Sequence, residues 1–214
     1  MRKKRARGGI MTEKTVKKLP RLSIPVIVEG RYDKAAICSM FSATVIATDG
    51  FGVFNSKEKQ ALIRAVCKNG VILLTDSDGA GKMIRGFLSG IIPKDKIYQV
   101  YVPTIEGKEK RKAKRSKEGL LGVEGVGADI LRPLLAPFTA GEELPVKNEI
   151  STAELFELGL TGGDNSLGLR DKVCLKLGLP RGMGAKAFSA AVSLVTDKEG
   201  LKKILSQEKN PPIS

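Results

Sequence analysis

Three segments of this chain that read as strands run into acidic residues, and those acids are the side chains best placed to do chemistry. VIVEGRYDKAAI, residues 26–37, puts Glu29 directly after a β-branched run and Asp33 four positions further on. ATVIATDG ends at Asp49-Gly50, and VILLTDSDGAGK carries Asp76 and Asp78. Alternation along an extended chain would send Asp76 and Asp78 to the same side. Carboxylates held that close repel one another unless a cation lies between them. Oxygen donors with no nitrogen or sulfur nearby suit Mg²⁺, or Mn²⁺ in its place. Singly, each acid has a plainer role: Asp33 can begin a helix, Asp76 or Asp78 can cap one, and Asp49-Gly50 can be a turn. Acids closing three strands on one edge favour the joint reading, a metal-binding cluster.

Other chemistries are excluded by what is missing. The chain has no histidine, so a Ser-His-Asp or Cys-His nucleophile cannot be assembled. DGAGK fails as a phosphate loop, because Asp76 stands where the first glycine is required and Met83 follows Lys82. Cys38, Cys67 and Cys174 are scattered and odd in number, which argues against a disulfide framework and leaves a zinc site short of ligands. No apolar run reaches the roughly 18 residues of a membrane span, and no signal-peptide pattern follows the basic start. A soluble cytoplasmic protein with no membrane partner is expected.

The elements that must position the acids follow from periodicity. Strands are expected over 24–28, 44–48, 71–75 and 97–102. Between them, helices are expected over 33–41, from Asn55-Glu58 to Gly70, and over 81–89 with Met83, Ile84, Phe87 and Leu88 at helical spacing. Alternation of strand and helix predicts a parallel α/β sheet, and ligands of such sheets collect beyond the strands' carboxyl ends. LLGVEGVGADILRPLL reads as a short strand leading into a helix. Proline and glycine over 137–148 read as a linker. From 149 to 207 the pattern is helical, with capping boxes at Ser151/Glu154 and Thr196/Glu199. It predicts a small all-helical C-terminal domain of three or four helices behind a catalytic domain spanning 23–136. The ends, a basic arm over 1–22 and a tail over 208–214, are expected to be disordered.

Charge names a class of partner. The formal net charge is +14, and residues 1–21 and 106–118 together carry +12 of it. Two basic segments on an otherwise balanced chain indicate a polyanion, nucleic acid by default, because Lys and Arg displace counterions from phosphates.

The pairing of EG-x-x-D after a first strand with D-x-D after a third resembles the Toprim domain, the metal-dependent fold of topoisomerases, bacterial primases and small nucleases. Three later stretches, TDSDGAGKMIRG, GLLGVEGV and STAELFELGLTGGDNSLGLRDKVCLKLGLPRGMGAKAFSAAV, resemble the ribonuclease that matures 5S ribosomal RNA (the ribonuclease M-five family). The likeness covers roughly residues 24–207. It departs from the family's usual pattern at Ser77 and Gly79-Ala80-Gly81, where a proline and a Phe-Pro-Gly are usual, and at Gly125, where a histidine usually follows the glutamate. These departures leave the carboxylates in place and bear on substrate identity.

The resemblance implies a Toprim-like α/β domain and a Mg²⁺-dependent endoribonuclease acting on structured RNA, precursor 5S ribosomal RNA, alongside the large-subunit ribosomal protein that binds it. Asp76 and Asp78 would hold the metal, and Glu29 would be a ligand or the general acid/base, with its anionic neighbours favouring its protonated form. Asp33 would be a secondary ligand or would orient Arg31 and Lys34, and Glu124 offers a weaker ligand. Lys82 and Arg85 would grip phosphates. Lys108, Lys110, Arg111, Lys112, Lys114, Arg115 and Lys117, in a basic loop over 103–119, would hold flanking duplex. A Toprim enzyme acting on DNA (a nickase or primase-like protein) and a non-catalytic RNA-binding assembly factor are the alternatives.

Overall fold

Short runs of β-branched and aliphatic residues with no polar interruption are buried on both faces, and two such runs, flanked by two partly buried strands, make the centre of this protein. In the computed structural model, which describes residues 18–108, 119–148 and 150–209, they are β1 (Val26–Val28), β2 (Val45–Ala47), β3 (Val71–Leu74) and β4 (Ile97–Val100). All pair in parallel, in the order β2-β1-β3-β4, with Val26 opposite Val45 on one side and Ile72 on the other. This is the expected α/β, Toprim-like architecture of a parallel sheet flanked by helices.

The helices are α1 (Arg31–Met40), α2 (Gly52–Asn55), α3 (Lys57–Val66), α4 (Gly79–Ile91) and α5 (Ala128–Leu135), then α6 (Thr152–Glu157), α7 (Ser166–Lys176), α8 (Ala185–Val195) and α9 (Lys198–Lys209). Strand alternation splits the core into two layers. Val26, Val28, Ile72 and Leu74 face Ile37 and Met40 of α1 and Leu131 and Leu135 of α5. Ile27, Val71 and Leu73 face Ile63 of α3 and Ile84 and Leu88 of α4.

The C-terminal helices gather a third core around Leu155, Val173, Cys174, Phe188, Val192 and Leu201, and Tyr101 from the end of β4 is buried in it. This unit covers the β4 edge of the sheet, an edge that would otherwise offer unpaired backbone groups. Lys147 Nζ donates to the carbonyls of Lys94 and Asp95, and Asn148 N donates to Ser193 O. Arg170 is buried among the helices, with Nε donating to Met183 O and Nη1 to Leu160 O, so one guanidinium ties three segments.

Local differences from the sequence expectation have local causes. Asn55 ends α2 in helical geometry, so the extended residue that caps α3 is Ser56, whose hydroxyl accepts from Lys59 N. Asp197, not Thr196, begins α9 by accepting from Gly200 N. The short strand expected before α5 is a 3₁₀ turn, Val123–Gly125, closed by Gly122 O accepting from Gly125 N and Val126 N. The Ser151/Glu154 capping box is present in full. Most of the basic arm (1–17), the end of the tail (210–214) and six of the seven loop cations (Lys110, Arg111, Lys112, Lys114, Arg115, Lys117) lie outside the described residues. No described helix is long and apolar enough to cross a membrane.

Candidate active site at the carboxyl ends of β1 and β3

Strand order decides where a ligand can sit. The chain leaves β1 toward β2 on one side and returns to β3 on the other, so the β1/β3 pair is the switch point of the sheet, where a crevice opens beyond the strand ends. Glu29 follows β1 and Asp76 follows β3 by two residues, so these two acids meet at that crevice. Asp49 follows β2, one strand further out, and its carboxylate forms an ion pair with Lys59.

Backbone bonds fix both acids. The carbonyl of Glu29 accepts from Thr48 Oγ1 (3.1 Å) and Gly50 N (3.2 Å), and Thr48 is fully buried. Asp76 Oδ1 accepts from Val123 N at 2.7 Å, which ties the end of β3 to the turn carrying Glu124. A Cβ on Gly122 would lie 2.6 Å from Asp76 Oδ1 and closer still to Oδ2, so only glycine lets that carboxylate lie against the turn. Gly81 answers a similar need, because a Cβ there would collide with the backbone carbonyl of Asp76. Gly81, the position at which the family's usual Phe-Pro-Gly also ends in glycine, is thus sterically required.

Asp33 is 6% exposed and works as a brace. Its Oδ2 accepts from Gly30 N at 2.9 Å and its carboxylate also accepts from Glu124 N, so it holds the segment carrying Glu29 against the turn carrying Glu124. The expectation that it orients Arg31 is corrected: Arg31 Nη2 donates to Tyr32 OH and its guanidinium stacks on the Tyr32 ring. Burial, then the nearby charges of Asp76 and Glu124, raise the Asp33 carboxyl from 3.8 to about 6 against the pull of its backbone donors. Three anions are therefore crowded at one end of the sheet.

Asp78 is placed differently from the same-side expectation. β3 ends at Leu74, extended alternation stops there, and Asp78 is the N-cap of α4, with Oδ1 accepting from Gly81 N at 2.9 Å. That bond engages one of its two carboxylate oxygens.

Arg85 is a correction. It is 5% exposed; Nη1 donates to Leu73 O and Gln99 Oε1, Nη2 donates to Thr75 O and Val100 O, and the guanidinium lies over the Tyr101 ring at 3.9 Å. Burial lowers its proton affinity to about 10, still charged at neutral pH. Its planar fork matches the carbonyls that diverge where β3 and β4 end. The sequence carried a signal: Gly81, Ile84, Arg85 and Leu88 are the buried stripe of α4, whereas Met83 is 58% exposed. Lys82 is exposed on the same helix, and Lys108 is exposed at the edge of the described loop.

Comparison with known proteins settles the family. No protein-family model matches the chain. It is 30% identical over 185 residues to ribonuclease M5 of Fusobacterium nucleatum, covering 84% of this chain and 94% of that protein. With ribonuclease M5 of Clostridium botulinum the identity is 32% over 156 residues, 72% of this chain and 78% of the relative. With that of Bacillus subtilis it is 32% over 161 residues, 73% and 80%. This chain belongs to the ribonuclease M5 family.

In this member of the ribonuclease M5 family, the donor set at the crevice is all oxygen: Glu29, Asp76, Asp78 and Glu124. Among the described residues no three acids converge into a ready-made cage. Mg²⁺ does not need one, since it keeps several waters and is commonly held by one or two carboxylates plus substrate phosphate. Burial first, and then anionic crowding, raise Asp33; the crowding is what a divalent cation would relieve, so the residues fit that ion.

The raised Asp33 carboxyl makes a pH prediction. The folded state binds the Asp33 proton more tightly than the unfolded chain, so in metal-free protein this group favours folding most below pH ~4, and that support is lost between pH ~4 and ~6. Asp33→Asn should therefore become more favourable by about 2 kcal/mol at pH 7 than at pH 4, given the shift from 3.8 to about 6. Urea melts of both proteins at the two pH values, in chelator, measure it; an effect independent of pH would show that the Asp33 carboxyl is not perturbed.

Proposed function

We infer that this chain is an endoribonuclease of ribosomal RNA processing, cutting structured precursor 5S ribosomal RNA with Mg²⁺ at the β1/β3 crevice. The observation that carries the reading is the crowding of Asp33, Asp76 and Glu124 beyond the sheet's switch point, with Asp33 bonded to the Gly30 amide that follows Glu29, in a chain related along most of its length to ribonucleases M5. Asp76 and Glu124 would hold the ion, with Asp78 and Glu29 completing its surroundings. When bound, the ion supplies Lewis-acid polarisation of the scissile phosphate and neutralises charge on its oxygens.

The remaining work falls to the chain's own residues. Glu29, its backbone pinned by Thr48 and Gly50, takes or returns the proton at its carboxyl as attacking and leaving oxygens exchange. Asp33 keeps Glu29 and Glu124 in register. Lys82, exposed on α4 just past Asp78, binds a phosphate, and Lys108 with the following cations holds flanking duplex through its backbone. The ribosomal protein that binds 5S RNA is the expected partner in presenting the substrate.

End-labelled precursor 5S RNA, alone and with that ribosomal protein, tests the reading. Cleavage should require Mg²⁺, stop in chelator, and fall about 10²-fold or more in Glu29→Gln, the range of a lost general acid/base. Cleavage that continues in chelator, or that Glu29→Gln leaves intact, would overturn the mechanism. Nicking of duplex DNA with no cut in RNA would overturn the substrate.

A further inference from the structure

A cavity of about 510 Å³ lies between α4, β4 and the start of α8, and Asp76 and Ser77 form part of its wall. It therefore adjoins the catalytic crevice, and residues of the C-terminal unit between Pro180 and Ala190 line its other side. Its floor is largely apolar, made by Tyr101, Met183, Ala187, Ala190 and Gly86. Its lining also carries three cationic side chains from separate elements, Lys82 of α4, Arg181 and Lys186 of α8, all exposed residues. The first turn of α8 forms one wall, and its N-cap, Gly184, has no side chain to satisfy the N–H groups there. Arg85 also lines the cavity; it is 5% exposed, and its Nε–H has no hydrogen-bond partner among the described residues.

We propose that this cavity takes one nucleotide of the RNA, the one adjoining the scissile phosphate, with its base on the apolar floor and its phosphate held by Lys82, Arg181, Lys186 and the start of α8. The volume falls in the range of about 300–1,000 Å³ that encloses a small ligand. An apolar floor beside clustered cations and a helix N-terminus matches the two ends of a nucleotide, a flat ring and an anion. Asp76 belongs to both the cavity and the acidic cluster, so a nucleotide seated here is contiguous with the bond to be cut. The helical unit thereby becomes part of the catalytic site, because half of the cavity is built from residues 180–190.

The assignment to the RNA strand rests on the cleavage reading above; the cavity's affinity for a nucleotide does not. The test therefore has two arms, both using the full chain with Ala190→Phe, which fills the floor, and Lys186→Glu, which reverses charge at an exposed position. Unchanged melting temperature in Lys186→Glu keeps the test readable if Ala190→Phe fails to fold. In the first arm, each of the four nucleoside 5′-monophosphates is titrated into protein without RNA. Saturable binding by the wild type, weakened about tenfold or more in both variants, is expected from the loss of one stacked base or one phosphate contact. In the second arm, precursor RNA carrying an abasic nucleotide beside the cut is compared with intact RNA. The wild type should cut it about tenfold more slowly, and Ala190→Phe should show no such difference, because the cavity is already closed to the base.

Wild-type cleavage that is indifferent to the missing base on either side of the cut, with monophosphate binding unaffected by both variants, would overturn the proposal while leaving the nuclease reading intact. Monophosphate binding that the variants weaken, with base-independent cleavage, would overturn the strand assignment and make a free nucleotide the ligand. Absence of cleavage together with variant-sensitive monophosphate binding would overturn the nuclease reading and support the nucleotide site.

Discussion

Gly122→Ala is expected to lower RNA cleavage about 10²-fold while shifting the melting temperature by only about 2–3 °C, a misplacement effect rather than a loss of fold. Gly122 has extended backbone angles, φ −84° and ψ −175°, that alanine adopts freely. The obstacle is elsewhere. The added Cβ would overlap the Asp76 carboxylate, the mobile end of a side chain, which can swing away at little cost to the core. In doing so it gives up the 2.7 Å bond from Val123 N and the position from which it would serve the metal. Asp76→Asn should cost about 10³-fold, the scale of a lost transition-state electrostatic contact, and should leave that backbone bond intact. Adding Gly122→Ala to Asp76→Asn should then cost little more, since both act through one carboxylate. Single-turnover cleavage rates of the three variants decide it. Fully additive losses would mean that Gly122 acts through something other than Asp76.

Arg85→Met should destabilise the protein by about 3–4 kcal/mol, in the range for removing one partner from a buried charged network. The loss leaves the carbonyls of Leu73, Thr75 and Val100 without this donor at the point where β3 and β4 diverge, and leaves Tyr101 without the cation over its ring. For a chain of this size that corresponds to a fall in melting temperature of about 10 °C. Arg85→Lys should recover only part of the loss, because an ammonium cannot reach carbonyls on both strands. RNA affinity measured against salt separates this role from phosphate binding. Lys82→Ala should reduce the slope of affinity against salt by about one counterion, whereas a folded Arg85→Met protein should keep the wild-type slope. A stable Arg85→Met protein with a reduced slope would return Arg85 to the phosphate-binding role its position after Asp78 first suggests.

Nearest-neighbour chemistry explains what could be read from the chain before it folded. Unbroken apolar runs such as Val26–Val28 and Val71–Leu74 demand burial on both faces, and their alternation with helical periods leaves a parallel sheet as the arrangement. The acids after those runs then fall at the sheet's carboxyl edge, which is why Glu29 and Asp76 could be singled out from type and position alone. The Ser151/Glu154 box was legible for the same reason, as its bonds close within four residues.

Properties that depend on segments remote in sequence were not legible. The Asp76–Val123 bond spans 47 residues, so the glycine of GVE could be matched to a family but not given its steric task until the turn was seen against the carboxylate. Asp33 could be singled out because it is acidic, but the bracing it performs through Glu124 N and Gly30 N could not be read from the chain. Arg85 looked like a phosphate grip because it is basic, yet the carbonyls it satisfies belong to two strands that meet only in the sheet. The cavity beside Asp76 exists only because residues 180–190 return to cover β4. Residue type set the chemistry available to this protein, since charge and oxygen donors are local properties. Which carboxylate braces, which cation is buried and where a nucleotide can enter were decided by packing, which brings together groups that the chain keeps far apart.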